Sequence, residues 1–179
     1  MRLFLGLPVP GALIPPLLTV QEAVPLGRAV DEDNLHLTLV FLGEVDPAGA
    51  EELHEALDGR RLPRPLLAFD GLSTYGGDRA KLLAMEIRPD PALTELQAAC
   101  ARASRAAGLA LERRRFRPHI TLIRFGAGLA PHRQPELDRA LTHVGTPVGA
   151  AGAERLVLYR SHLGEGGADY EELATYPLL

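Results

Sequence analysis

Two short segments of this chain carry residues able to move protons at neutral pH, and they are near copies of one another. HLTLVF begins at His36 and HITLIRF at His119, 83 positions apart. Successive side chains of a β-strand point to opposite faces, so His36 and Thr38 project together while Leu35, Leu37 and Leu39 face the other way. His119 and Thr121 repeat the arrangement, with Ile120 and Leu122 opposite. An imidazole titrates near 6.5, so of two rings one can take a proton from water while the other supplies a leaving oxygen. Threonine hydroxyls can donate to non-bridging phosphate oxygens as charge builds there. That inventory suits metal-independent phosphodiester hydrolysis, in which positioning and electrostatics carry most of the catalysis. A single His-x-Thr-Leu is an ordinary amphipathic strand; two copies with identical spacing point to function. No carboxylate or third histidine stands at ligand spacing from either copy, so no metal and no cofactor are expected.

The elements that must position these groups alternate between strand and helix patterns throughout. Arg2 to Leu7 reads as a first strand, Ala12 to Val24 as a helix entered through prolines, and Leu35 to Gly43 as the strand carrying the first motif. A helix from Pro47 to Leu57 has Asp46 as its cap and proline in its first turn. Leu66 to Tyr75 and Lys81 to Ile87 are expected to pair as a hairpin across GGDR. The strongest helix pattern, Pro91 to Ala107, is capped by Asp90 and stopped by Gly108. The second motif strand runs from His119 to Phe125, followed by a loop, a helical segment near Pro135 to Thr142, and two closing strands, Arg155 to Ser161 and Tyr170 to Tyr176. One motif near the middle of each half of the chain argues for a duplicated, pseudo-symmetric, two-lobed architecture.

Composition narrows the function classes. A chain of 179 residues with 46% hydrophobic content builds one sizeable core or two lobes sharing an interface. The net charge of −4 argues against wrapping a long nucleic acid but not against gripping a phosphate at a chain end. Basic density is local: Arg113, Arg114, Arg115 and Arg117 precede His119, either as a solvated surface or as phosphate contacts. Cys100, the single cysteine, sits in a helical pattern as a small buried thiol, which excludes an internal disulfide and fits a cytoplasmic setting. The apolar N-terminus is interrupted by Pro8, Pro10 and Pro15, so neither a signal peptide nor a membrane span is expected. His54, His132, His143 and His162 lack partner repeats and are expected at the surface, His162 in a turn. A monomer is the default.

The sequence resembles the two-histidine (2H) phosphoesterases, specifically the bacterial and archaeal RNA 2′,3′-cyclic phosphodiesterases also described as 2′-5′ RNA ligases. The likeness rests on RLFLGLPVP, NLHLTLVFLGEV, RPHITLIRF and the C-terminal LYRSHLGEGGADYEELATYPL, in that order. It implies an α+β fold in which residues 1–179 form one bilobal domain, two antiparallel sheets making a V-shaped central cleft with helices outside. It implies a catalytic set of His36, Thr38, His119 and Thr121, and substrate contacts from Arg124, Phe41 and Phe4. Strand parity sets Arg124 and Phe41 on the face opposite their histidines unless a bulge turns them. The implied reaction opens RNA 2′,3′-cyclic phosphate termini, or a small cyclic nucleotide, to 2′-phosphomonoesters, with His119 as base and His36 as acid, labels that exchange without altering the chemistry. Joining such ends to a 5′-hydroxyl, or binding RNA ends without catalysis, are the alternatives. No tryptophan occurs, where relatives often carry one at the place of Arg28, Ala29 and Val30, and that departure touches base stacking.

Overall fold

In the computed structural model, residues 1–164 and 167–179 are described; Glu165 and Gly166 of the C-terminal matching block lie outside them. The elements are β1 (Arg2–Pro8), α1 (Ile14–Ala23), β2 (Arg28–Ala29), β3 (His36–Glu44), α2 (Pro47–Leu57), β4 (Leu66–Tyr75), β5 (Leu82–Ile87), α3 (Pro91–Ala106), β6 (His119–Arg124), α4 (Gln134–Val144), β7 (Ala150–Gly152), β8 (Arg155–Gly164) and β9 (Gly167–Pro177). The caps are as expected: the Asp46 carboxylate accepts from Gly49 N at 2.7 Å and the Asp90 carboxylate from Leu93 N at 3.0 Å, each followed by proline in the first turn. Gly108, at φ 73°, stops α3. No helix among the described residues is long and apolar enough to cross a membrane.

The strands form one hydrogen-bonded path, β7-β4-β5-β6-β3-β1-β8-β9, with β2 on β6, and the named strands pair antiparallel. This corrects the expectation of two separate sheets. The path narrows at its middle, where β3 and β6 share the register pair Leu37↔Ile120. Outward from that seam the halves match: β3 is followed by β1, β8 and β9, and β6 by β5, β4 and β7. The β3 half combines the two ends of the chain, whereas β4, β5, β6 and β7 come from its middle, residues 66–152. Helix α3 packs on β3 and against α2, whereas α1 packs on β6 and against α4.

Three local readings change. His162 lies inside β8, not in a turn, because β8 and β9 pair down to Gly164↔Gly167. Two short strands escaped the sequence. β2 has two exposed residues and β7 is Ala-Ala-Gly, too short and too poor in β-formers for a pattern to register. Gly27, at φ 69°, brings β2 onto β6; a Cβ there would stand 2.6 Å from the carbonyl oxygen of Arg124.

Leu37 and Ile120 are both fully buried, and trimming Ile120 opens a void at the seam. Ile120→Ala should cost about 2–4 kcal/mol of stability, read by urea denaturation. It should also cost more activity than an equally destabilising change at Leu57 in α2, since only the first disturbs the two motif strands' mutual position.

Candidate active site

The seam register brings the motifs together. Extended by one residue either way, Leu37↔Ile120 sets Thr38 across from His119 and Thr121 across from His36. Alternation puts all four side chains on one face: they are half-buried, while Leu37, Leu39, Ile120 and Leu122 go into the core. The two histidine strands are thus related by a local two-fold axis through the seam.

A bulge then corrects the parity on both strands. The β1–β3 register passes from Leu5↔Val40 to Gly6↔Thr38, leaving Leu39 unpaired, and the β5–β6 register passes from Leu83↔Ile123 to Ala84↔Thr121, leaving Leu122 unpaired. Each bulge falls three residues after its histidine, so Leu39 and Val40, like Leu122 and Ile123, are consecutively buried. The fifth residue after each histidine therefore turns back to the histidine face, and those residues are Phe41 and Arg124. The extra carbonyl at Leu122 is taken up by Val30 N and Gln21 Nε2, both at 2.8 Å.

Each imidazole is held in the same tautomer by the same contact. His36 Nδ1–H donates to the carbonyl of Asn34 at 2.7 Å and His119 Nδ1–H to that of Arg117 at 2.8 Å, two residues back in both cases. A carbonyl can only accept, so in the neutral ring Nε2 is the basic nitrogen. At His36 this nitrogen accepts from the Thr38 hydroxyl at 3.1 Å.

The surroundings of the two rings differ. His36 rests on Phe4 at 4.8 Å between ring centroids and meets the edge of Tyr170 at 4.9 Å, and Phe4 in turn stacks on Tyr159 at 4.9 Å. Burial in this aromatic nest, with Arg124 and His119 adding positive charge, lowers the His36 pKa from 6.5 to about 4, against the opposing pull of the Asn34 carbonyl. His119 instead stacks on Tyr75 at 4.6 Å. The Tyr75 hydroxyl donates to Glu86 at 2.7 Å, the Arg117 guanidinium lies 4.6 Å from the Tyr75 ring centre, and Arg117 pairs with Glu86 at 3.3 Å. Burial and the Glu86 carboxylate push the Tyr75 phenol well above its usual range.

His36, Thr38, Phe41, Arg124, Phe4 and Tyr170 line one cavity of about 390 Å³. Thr38, Phe41 and His119 border a second, of about 280 Å³, on the side of α3. Phe41 is 48% exposed, with the Arg2 guanidinium 5.0 Å from its ring centre. Phe4, 3% exposed, backs His36 more than it offers a face to a ligand. Thr121 borders neither cavity. Among the described residues no group of three or more His, Cys, Asp or Glu side chains is placed to hold a metal ion.

The family described as the 2′-5′ RNA ligase superfamily matches residues 14–165 of this chain. The chain belongs to the 2′-5′ RNA ligase superfamily. A Geobacillus stearothermophilus protein named RNA 2′,3′-cyclic phosphodiesterase is 35% identical over 162 residues, 88% of this chain and 50% of that protein; the chain spans about half of that relative's length. A Bacillus subtilis protein of the same name is 26% identical over 183 residues, 98% of this chain and 95% of that one. The crystal structure of Escherichia coli LigT complexed with 3′-AMP, 24% identical, superposes with a TM-score of 0.73 over 99% of this chain and 96% of that one. That likeness extends the superfamily fold to nearly the whole chain.

Within this superfamily member, sequence reasoning missed Tyr75, Glu86 and Tyr170. None sits in a repeated motif, and what makes each important is cross-strand register, Glu86↔His119 above all. The isolated histidines are on the surface as expected; His54 approaches the Tyr176 hydroxyl at 3.1 Å. Cys100 is buried, which raises its thiol to about 12.

Folding lowers the His36 pKa, so the native state binds fewer protons than the unfolded chain between about 6.5 and about 4. Stability from this residue is intact above that window and lost as the pH falls through it, by at most about 3 kcal/mol. His36→Gln, which cannot charge, should remove that part of the acid sensitivity. Urea midpoints at pH 7 and pH 4.5 should differ less in the variant than in the parent.

Proposed function

We propose that this chain, acting as one bilobal unit, opens 2′,3′-cyclic phosphates at RNA termini to leave 2′-phosphomonoesters, with two imidazoles as the proton-transfer groups and no metal. The observation that carries the reading is the two-fold placement of His36 and His119 with Thr38 and Thr121 on one face of adjacent central strands. The names of the Geobacillus and Bacillus relatives support the substrate, and the 3′-AMP complex of LigT supports nucleotide binding in this fold.

Water attacks phosphorus as the bond to O3′ breaks. His119 Nε2 takes the proton from water, and His36 Nε2 returns one to O3′, so the product keeps its phosphate on O2′. The charge on phosphorus-bound oxygens is met by the Thr38 and Thr121 hydroxyls and by Arg124, the bulge having turned that guanidinium toward the His36 side. His36 is neutral at pH 7 in the empty cleft. The anionic cyclic phosphate raises its proton affinity, so His36 charges together with substrate binding and gives the proton up readily as the negative charge moves to the leaving oxygen. Phe41 and Arg2 flank the cavity mouth, where a nucleoside would lie.

An oligoribonucleotide ending in 2′,3′-cyclic phosphate should be converted to its 2′-phosphate with a chelator present. His36→Ala and His119→Ala should each slow this by roughly 10²–10⁴. The acid is identified by a substrate whose 3′ oxygen is replaced by sulfur, a leaving group that needs no proton: the His36 variant should recover on it and the His119 variant should not. A 3′-phosphate product, or full rate in both alanine variants, would overturn the reading. The same product analysis with a 5′-hydroxyl oligonucleotide added shows whether ends are also joined.

A further inference from the structure

The two imidazoles are not held equally. His36 is bonded at both ring nitrogens, Nδ1 to the Asn34 carbonyl and Nε2 to the Thr38 hydroxyl, so its plane is fixed. Among the described residues His119 has a hydrogen bond at Nδ1 alone, to the Arg117 carbonyl. A ring bonded at one nitrogen can still tilt about that contact, which would turn Nε2, the nitrogen that must face the entering water. What opposes the tilt is Tyr75, whose ring stacks on the imidazole with centroids 4.6 Å apart and planes 30° from parallel. Tyr75 is the last residue of β4, next to the GGDR turn, and its hydroxyl is anchored on Glu86 Oε1 at 2.7 Å. The same oxygen accepts from Arg117 Nη2 at 3.3 Å. Glu86 is the register partner of His119 on β5. Its side chain is only 18% exposed, and none of the hydrogen bonds of the described residues joins it to the imidazole. One carboxylate oxygen thus gathers the ring that stacks on His119 and the side chain of the residue whose carbonyl holds Nδ1–H.

We propose that Glu86 and Tyr75 are a positioning pair for His119: the carboxylate fixes the phenol, and the phenol fixes the plane of the imidazole so that Nε2 stays aimed at the entering water. This rests on the ring opening proposed above, with His119 as its base, and adds two residues that touch neither the substrate nor the reacting atoms. Stacking suits a base because it restrains the ring and leaves Nε2 open. A donor at Nε2 would hold the ring equally well but occupy the lone pair that has to take the proton.

Glu86→Ala and Tyr75→Phe should each lower kcat for cyclic-phosphate opening by roughly 10-fold to 10²-fold with KM unchanged, since the aim of the ring is lost and the contacts to substrate are not. Glu86→Gln keeps an oxygen that accepts from the Tyr75 hydroxyl and should recover most of the loss. The double variant should be no slower than the slower single one, because the two residues act in series. On the substrate with sulfur in place of the 3′ oxygen the Glu86→Ala defect should persist, as only the acid becomes dispensable there. Unchanged kcat in both single variants, losses that multiply in the double variant, or recovery on the sulfur substrate overturns the pair. NMR of the imidazole ring protons reads the position without the reaction. Stacked on Tyr75, those of His119 should lie upfield of an exposed histidine's, and Glu86→Ala should return them to that range while those of His36 stay in place. If the His119 protons do not move in the variant, the pair falls whatever the catalysis. If they move but the parent opens no cyclic phosphate, the positioning stands and the ring-opening reading falls.

Discussion

The antiparallel register at Leu37↔Ile120 is the constraint on which the site depends. Shifting it by one residue would send every side chain of one motif to the opposite face. Shifting it by two would keep the faces but separate each histidine from the threonine across the seam. The register is held by burial on the far side, where Leu37, Ile120, Leu122 and Ile123 are almost wholly inaccessible, and where Gln21 and Val30 bind the Leu122 carbonyl. The core therefore acts on the candidate site through geometry: it brings no polar group to the cleft, yet it decides which groups meet there.

Around this symmetric seam the two histidines have been given different supports. His36 is enclosed by Phe4, Tyr159 and Tyr170, which remove water and lower its affinity for a proton. His119 is placed by a closed set of contacts, in which the Arg117 carbonyl takes its Nδ1–H, the Arg117 guanidinium lies over Tyr75, Tyr75 stacks on the imidazole, and Glu86 holds both Tyr75 and Arg117. Glu86 does not contact His119 through a hydrogen bond; its influence passes through the partners it fixes. One ring is desolvated by its aromatic neighbours and the other is positioned by a polar scaffold.

Much of this was legible in the chain because it is encoded at short range. The His-x-Thr spacing, the alternating leucines, the Asp-Pro helix starts and the GGDR hairpin are all local signals, and each predicted element is present in the structure. Parity was the instructive case. Counting by twos puts Phe41 and Arg124 on the wrong face, and what brings them back is a bulge at Leu39 and another at Leu122. The sequence does carry a trace of both, since Leu39-Val40 and Leu122-Ile123 are adjacent apolar residues that an unbulged strand would split between core and cleft. Tyr75, Glu86 and Tyr170 left no such trace, because their importance lies in which strand pairs with which. The continuity of the sheet was equally hidden, as it turns on a single register pair.

On the proposed reaction, the equal offsets of Phe41 and Arg124 from their histidines would let a duplicated frame take an unsymmetrical substrate. In-line displacement at phosphorus requires one group on the side of the entering oxygen and one on the side of the departing oxygen. Two imidazoles related by a two-fold axis could meet a central atom from opposite sides, so the symmetric part of the frame would match the symmetric part of the proposed reaction. A nucleotide is not symmetric about its phosphorus, for its sugar and base lie to one side. The frame answers this at the fifth position after each histidine, which both bulges deliver to the same face: one strand presents an apolar ring there and the other a guanidinium. The backbone repeats what the proposed chemistry needs twice, and the side chains differ where its substrate would.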